Sequence, residues 1–351
     1  MLVGIHRERY GRFGPFLRKY EVILEHNGIP CRRLDASQPG FWEEVASLDL
    51  FIFRWGHYDD DRQLALTILP VVEQHMKIRC FPDNPTYWHY DDKIRQYYLL
   101  RQHGFPVVQS WVFWEKEPAV HWSKSAQYPV MFKLKAGAGS QNVVLVRNSL
   151  EARLLIRTMF GPGISGDGIP LPDATRHVDF SAYPFLRHQA GRVVRRLAGK
   201  DPSPFWQKHK NYVLFQEFLP NNDYDTRVTV LGDRAFAFRR HVRPGDYRAS
   251  GSGLIDYDPA GVDLRCVRIG LEISQRLGFS SMAYDFLFDR AGEPHCCEIS
   301  YTFVDTAVHD CPGYWDESLR FHEGHFWPQY CHLVDALKMP RLVQPEGDLC
   351  R

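Results

Sequence analysis

Hydrophobic positions change their period along the chain. Over the first 80 or so residues, short apolar runs alternate with helical patterns: LVGI (2–5), a helical stretch at 13–26, DLFIFR (49–54) and a second helical stretch at 63–74. That βαβα order predicts a small parallel sheet with crossover helices. FPDNP (81–85) punctuates its end, and a helical pattern from Asp91 to about His103 stops at Gly104 and Pro106. From there the period becomes two. PVMFKLKAGAGSQNVVLV (129–146) reads as two strands joined by a small-residue, glycine-containing loop, a β-hairpin pattern. YVLFQEFL (212–219), TRVTVLG (226–232) and RAFAFRRHV (234–242) are further strands, the last two joined at Gly232 and Asp233. After a helix over 262–277, SMAYDFLFD and HCCEISY pair across 290–294.

Composition narrows the class. The 351 residues carry 43 Lys and Arg against 42 Asp and Glu, a net charge of +1, which argues against a duplex-binding surface. No apolar run exceeds four residues, whereas a spanning helix needs about 20. Arg7, Glu8 and Arg9 stand where a secretory signal needs an apolar stretch, and none of the 8 cysteines forms a C-x-x-C pair, so reduced thiols in a cytoplasm are expected. One segment departs from neutrality: between Arg176 and Lys210 eight Lys and Arg face two Asp. It reads as a basic insert at about 161–210, either a solvated face or a surface that steers an anionic substrate. His322, Glu323 and His325 lack the spacing of a zinc-protease helix.

Two features carry chemistry. Asp285 and Glu298 lie on successive strands, and pairing across the turn brings both carboxylates to one side of the sheet, a geometry that suits Mg²⁺ beside a phosphate site; unpaired surface acids are the plain alternative. Lys133 precedes the AGAGS loop, and a lysine with free backbone N–H groups can cradle a polyphosphate, though a solvated strand lysine reads the same way.

NPTYWHYDDKIRQYYLLRQHGFPV, PVMFKLKAGAGSQNVVLV, VLFQEFL, DTRVTVLGD, RHVRPGDYR, AYDFLFD and CEISY follow one another in the order seen in the ATP-grasp superfamily of carboxylate-amine ligases. The chain resembles that family over about residues 80–304, most closely its RimK-like branch of ribosomal-protein glutamate ligases, with glutathione synthetases and D-alanine:D-alanine ligases nearby. The resemblance implies a mixed α/β (α+β) ATP-grasp fold. A small parallel pre-ATP-grasp domain at 1–88 would be followed by a central lid subdomain at 89–210 with the basic insert, a C-terminal antiparallel-sheet subdomain with the metal site at 211–340, and a tail at 341–351.

Residue by residue, it implies that Lys93 and Lys133 contact the α and β phosphates of ATP under the loop of Gly137, Gly139 and Ser140. Gln216, Glu217, Phe218 and Leu219 would hold the adenine edge and Asp225 the ribose. Asp285, Glu298 and Ser300 would bind one or two Mg²⁺ ions, which Mn²⁺ can replace. Arg227, Arg240 and Arg248 would hold the transferred phosphoryl group and the substrate carboxylate. The family's Glu-x-Asn reads Glu298-Ile299-Ser300 here, and Ser250 stands where related ligases often carry Asn, which bears on the metal stoichiometry. Arg54, Trp55, His57 and Ser250 are the expected substrate contacts, the first three because ligands of open α/β sheets bind at the carboxyl ends of strands.

The implied reaction phosphorylates a carboxylate of a small molecule or peptide and passes the acyl group to an amine, releasing ADP and phosphate. A kinase on the same scaffold and a non-catalytic ATP-binding regulator are the alternatives. No nucleic-acid partner is expected, and a homo-oligomer is compatible with the family.

Overall fold

A computed structural model describes the chain except residues 8–12, 57, 138–142, 167–206, 244–250, 348 and 350–351. The N-terminal pattern forms the predicted parallel sheet, with β1 (Val3–His6), β2 (Cys31–Leu34), β3 (Leu50–Ile52) and β4 (Arg79–Phe81) in the order β2-β1-β3-β4. The helix Pro15–His26 begins with Pro at its first turn, where no N–H is needed, and turns Leu17, Tyr20, Ile23 and Leu24 into the core at helical spacing. The helix expected at 63–74 starts earlier, at Asp59, and passes after Pro70 into a π-helical turn, Val71–His75. Proline has no N–H for the α-helical bond, and the chain widens there so that the Met76 amide donates to Val71.

A second, antiparallel sheet holds β5 (Ser110–Phe113), β6 (Val130–Lys133), β7 (Val143–Val146) and β10 (Val213–Glu217) in the order β5-β10-β6-β7. β6 and β7 are the predicted hairpin. Its tip, with Gly139 and Ser140, lies outside the described residues, as does most of the basic insert. Two short strands, β8 (Ile164–Ser165) and β9 (Lys208–His209), pair where the chain leaves and re-enters the described residues.

The third sheet comprises β11 (Tyr224–Leu231), β12 (Arg234–His241), β13 (Ile255–Asp256), β14 (Ser281–Phe288), β15 (Pro294–Ser300), β16 (Gly313–Trp315) and β17 (Phe321–Glu323). Its order is β15-β14-β11-β12-β16-β17, with β13 on β12. One face carries Val228, Val230, Ala237, Tyr284 and Phe286 beneath the helix Leu264–Leu277, in a core shared with Phe51, Phe53 and Trp55 of the N-terminal unit. Gly270 permits that approach, because a Cβ there would meet Val228 at 3.2 Å. The helix is capped by Asp263, whose side chain accepts from the Arg265 amide, and closed by Gly278 in the left-handed region. Between β14 and β15 the register slips by one at Asp285/Phe286, so Cys297 is an extra residue in β15.

The segment after 327 returns to the start of the chain. Leu333 and Leu337 of the helix Pro328–Leu337, then Leu342 and Leu349, are buried with Val3, Ile5 and Leu17 in the N-terminal core. The Asn27 side chain accepts from the Val343 amide and donates to its carbonyl, both at 2.8 Å. Among the described residues no helix is long and apolar enough to cross a membrane.

Candidate active site

Strand alternation puts Asp225 and Arg227 of β11 on the same face, opposite the face that meets the helix. Antiparallel register sets Asp225 against Arg240 of β12, Arg227 against Asp285 of β14, and Asp285 against Glu298 of β15. A row of five charged residues thus crosses four strands. Arg240 grips Asp225 with two bonds of 2.7 and 2.6 Å, and its Nη2 also lies 2.8 Å from Asp285. Arg227 grips Asp285 from the other side at 2.7 and 2.8 Å. Asp225, Arg240 and Asp285 are buried, so each charge depends on these partners. Burial works against the Asp285 carboxylate, but Arg227 and Arg240 overcome it and hold its pKa well below the usual range. Asp225 moves the other way, raised first by burial and then by the Asp285 charge.

Two lysines come in from the second sheet and its neighbouring helix. Lys133 of β6 is buried and donates to Gln216 Oε1 of β10 at 2.5 Å, with Cys297 Sγ 3.4 Å away. Lys93, first residue of the helix Lys93–Gln102, is oriented by the cap that Asp92 forms on the Ile94 and Arg95 amides. Its Nζ donates to the Gly137 carbonyl at 2.7 Å and lies 3.1 Å from Glu298. Burial would lower its pKa, but Glu298 and Asp91 raise it. A narrow slot runs between Leu100, Val107, Leu214 and Ile299, with Lys93, Lys133 and Gln216 at its polar side. It adjoins an open cleft of about 350 Å³ to which Arg54, Lys93, Arg227, Arg240, Glu298 and Ser300 contribute. A flat apolar slot leading to a cationic cleft is suited to a ring bearing phosphates.

Lys93, Lys133, Gln216, Arg227, Arg240, Asp285, Glu298, Ser300 and Arg54 are therefore brought together. Other expected residues stand differently. Trp55 is 1% exposed and packs edge-on against Phe53, Tyr87, Tyr90 and Tyr301, so it braces the cleft wall from behind. Both Asp225 oxygens are taken by Arg240, which leaves it a member of the charge row and not an open acceptor for a diol. Glu217 points to solvent, and its amide bonds to Gln109. Leu219 is buried, and only Gln216 of the expected adenine-edge residues lines the slot. His57, Gly139, Ser140, Arg248 and Ser250 lie outside the described residues. Asp91 and Cys297 are contributors that the sequence reading passed over. The pair Asp91-Asp92 reads simply as a helix start, and the slip in β15 that exposes Cys297 to the slot leaves no mark in the sequence.

Among the described residues no group of three His, Cys, Asp or Glu could enclose a metal. The acid pair remains, with Ser300 Oγ beside it donating to the Thr302 carbonyl at 2.9 Å. Two carboxylates and a hydroxyl are hard oxygen donors of the kind that suits Mg²⁺ shared with phosphates.

No protein-family model matches the chain. The alpha-aminoadipate–LysW ligase LysX of Saccharolobus solfataricus is 22% identical to it over 249 residues, 69% of this chain and 70% of that protein. Among solved structures, a RimK domain ATP-grasp protein from Sphaerobacter thermophilus superposes with a TM-score of 0.52 at 14% identity, over 88% of this chain and 93% of its own. D-cycloserine synthetase DcsG gives 0.55 at 15% identity, over 96% and 99%. The N5-carboxyaminoimidazole ribonucleotide synthetase from Thermotoga maritima gives 0.58 at 12% identity, over 97% and 76%.

Proposed function

From the premise that the chain has the ATP-grasp fold, we propose that it is an ATP-dependent ligase joining a carboxylate to an amine, with release of ADP and phosphate. The observation that carries this reading is the row Arg240, Asp225, Arg227, Asp285 and Glu298 facing the same cleft as Lys93 and Lys133. The similar proteins named LysX and DcsG are, by their names, a ligase and a synthetase.

In this reading Gln216 and the apolar slot hold the adenine, and Lys93 and Lys133 bind its phosphates. Asp285, Glu298 and Ser300 would hold Mg²⁺, which when bound neutralises phosphate charge. Arg227 and Arg240 already lie fixed beside Asp285, so they need no reorganisation to stabilise the negative charge that develops as phosphate moves to the carboxylate and as the amine attacks the acyl phosphate. Arg54 reaches the same cleft from the N-terminal unit and would orient the substrate carboxylate. The substrates are small molecules or peptides, and the cysteines, free thiols wherever described, fit a cytoplasmic setting.

The test is release of ADP and free phosphate from Mg²⁺-ATP, with pooled amino acids, peptides and sugar acids, followed by mass spectrometry. Amine-dependent release with a product lighter by one water than its two substrates is expected. ADP without free phosphate, accompanied by a phosphorylated product, would make the protein a kinase.

A further inference from the structure

The phosphate end of the slot is held from behind by contacts that start in the N-terminal unit. Asp59, the first residue of the helix Asp59–Pro70, is buried; its Oδ1 accepts from Arg62 Nη2 at 2.6 Å and its Oδ2 from the Gln207 amide at 2.6 Å. Arg62 Nη1 in turn donates to the carbonyl of Asp91 at 3.0 Å. Asp91 has a positive φ of 51°, and its Oδ1 accepts from the Gly137 amide at 2.9 Å. The Gly137 carbonyl then accepts from Lys93 Nζ. The run from Asp59 to Lys93 is unbroken.

We propose that Asp59 and Arg62 are positioning residues for the phosphate site, fixing Lys93 and Gly137 through Asp91. This rests on the reading of Lys93 as a phosphate contact. Three observations support it. The Arg62 and Asp59 side chains are only 11% and 4% exposed, so their bonds are shielded from competition with water and keep their direction. A left-handed backbone at a non-glycine residue persists where its surroundings over-determine it, and Asp91 is held at its carbonyl by Arg62 and at its carboxylate by Gly137. Lys93 has a second attraction in Glu298 at 3.1 Å, so loss of the Gly137 carbonyl would let the ammonium shift toward the acid and away from the slot.

The experiment compares the binding of Mg²⁺-ATP, by calorimetry, and of adenosine, by ligand-observed NMR, to the full chain and to R62A, D59N, D59N/R62A and K93A. R62A and D59N should each weaken ATP binding about tenfold, the loss expected for a misdirected charged hydrogen bond. The double variant should lose little more than R62A, since both act through one run of contacts. Adenosine should bind as before, because the run reaches only the phosphate end. Unchanged ATP affinity in R62A, or equal losses for ATP and adenosine, overturns the proposal. Should R62A not fold, R62K decides: it can reach one acceptor at a time and should bind ATP with intermediate strength, whereas full affinity overturns the proposal. K93A weak and R62A normal would leave the phosphate-site reading intact and remove only the role of Arg62 and Asp59; no ATP binding by the unsubstituted chain would remove both.

Discussion

Arg240 stands between two buried carboxylates and Arg227 closes one of them, so the charge row is a structural element as well as a catalytic one. Removing a single partner strands the others in a poorly hydrated place. Arg240→Ala is therefore expected to cost about 3 to 5 kcal/mol in urea denaturation, beyond any effect on turnover. Lys133→Ala should act differently, weakening ATP binding by about 1.5 to 3 kcal/mol in a direct titration. Part of the row was legible. The turn at Gly232 and Asp233 already implies that Asp225 opposes Arg240, because counting back from a two-residue turn fixes the register. The pairing of Arg227 with Asp285 joins strands more than 50 residues apart, and no local signal encodes it. Trp55 shows the reverse: alternation after β3 separates it from Arg54, so one neighbour lines the cleft while the other joins Phe53 in the core.

Elements that were long and regular emerged from the sequence, including the hairpin of β6 and β7 and the strands β11, β12, β14 and β15. β2, β4 and β5 did not, since three or four residues hold too few alternations to stand out. The slip in β15 has a chemical effect: consecutive residues, Cys297 and Glu298, both reach cleft lysines, at 3.4 and 3.1 Å. Where elements meet, buried histidines serve as neutral connectors. His332 of the last helix links Tyr20 of the first helix, 2.7 Å from Nδ1, to Ser281 of β14, 3.0 Å from Nε2. Burial lowers its pKa to about 3 and those of His6, His89 and His209 to about 4. A histidine with a lowered folded pKa contributes its stability in full above about 6.5 and loses it as pH falls toward the folded value. Denaturation midpoints should thus drop steadily below about pH 6.5, each such histidine contributing about 1.4 kcal/mol per pH unit. Replacing His332 with Phe should flatten that slope, and a stability independent of pH between 6.5 and 4 would contradict the assignment.

Across the whole molecule, the N-terminal sheet is finished by the far end of the chain. Residues 341–351 read as a tail because RLVQPEGDLC has no period, yet Leu342 and Leu349 are buried beside Val3 and Leu17. A chain ending at Trp327 should lose protection of β1 and β3 in hydrogen exchange, while β11 and β14, whose neighbours remain, should exchange much as before. The same closure bears on synthesis. A nascent chain makes β1 among its first residues, but the side chains that seal that strand leave the ribosome more than 300 residues later. The usual order, in which the N-terminal unit folds first, is therefore inverted: until its last helix emerges, the oldest part of this polypeptide carries an open apolar face, and that interval is when a chaperone has something to hold.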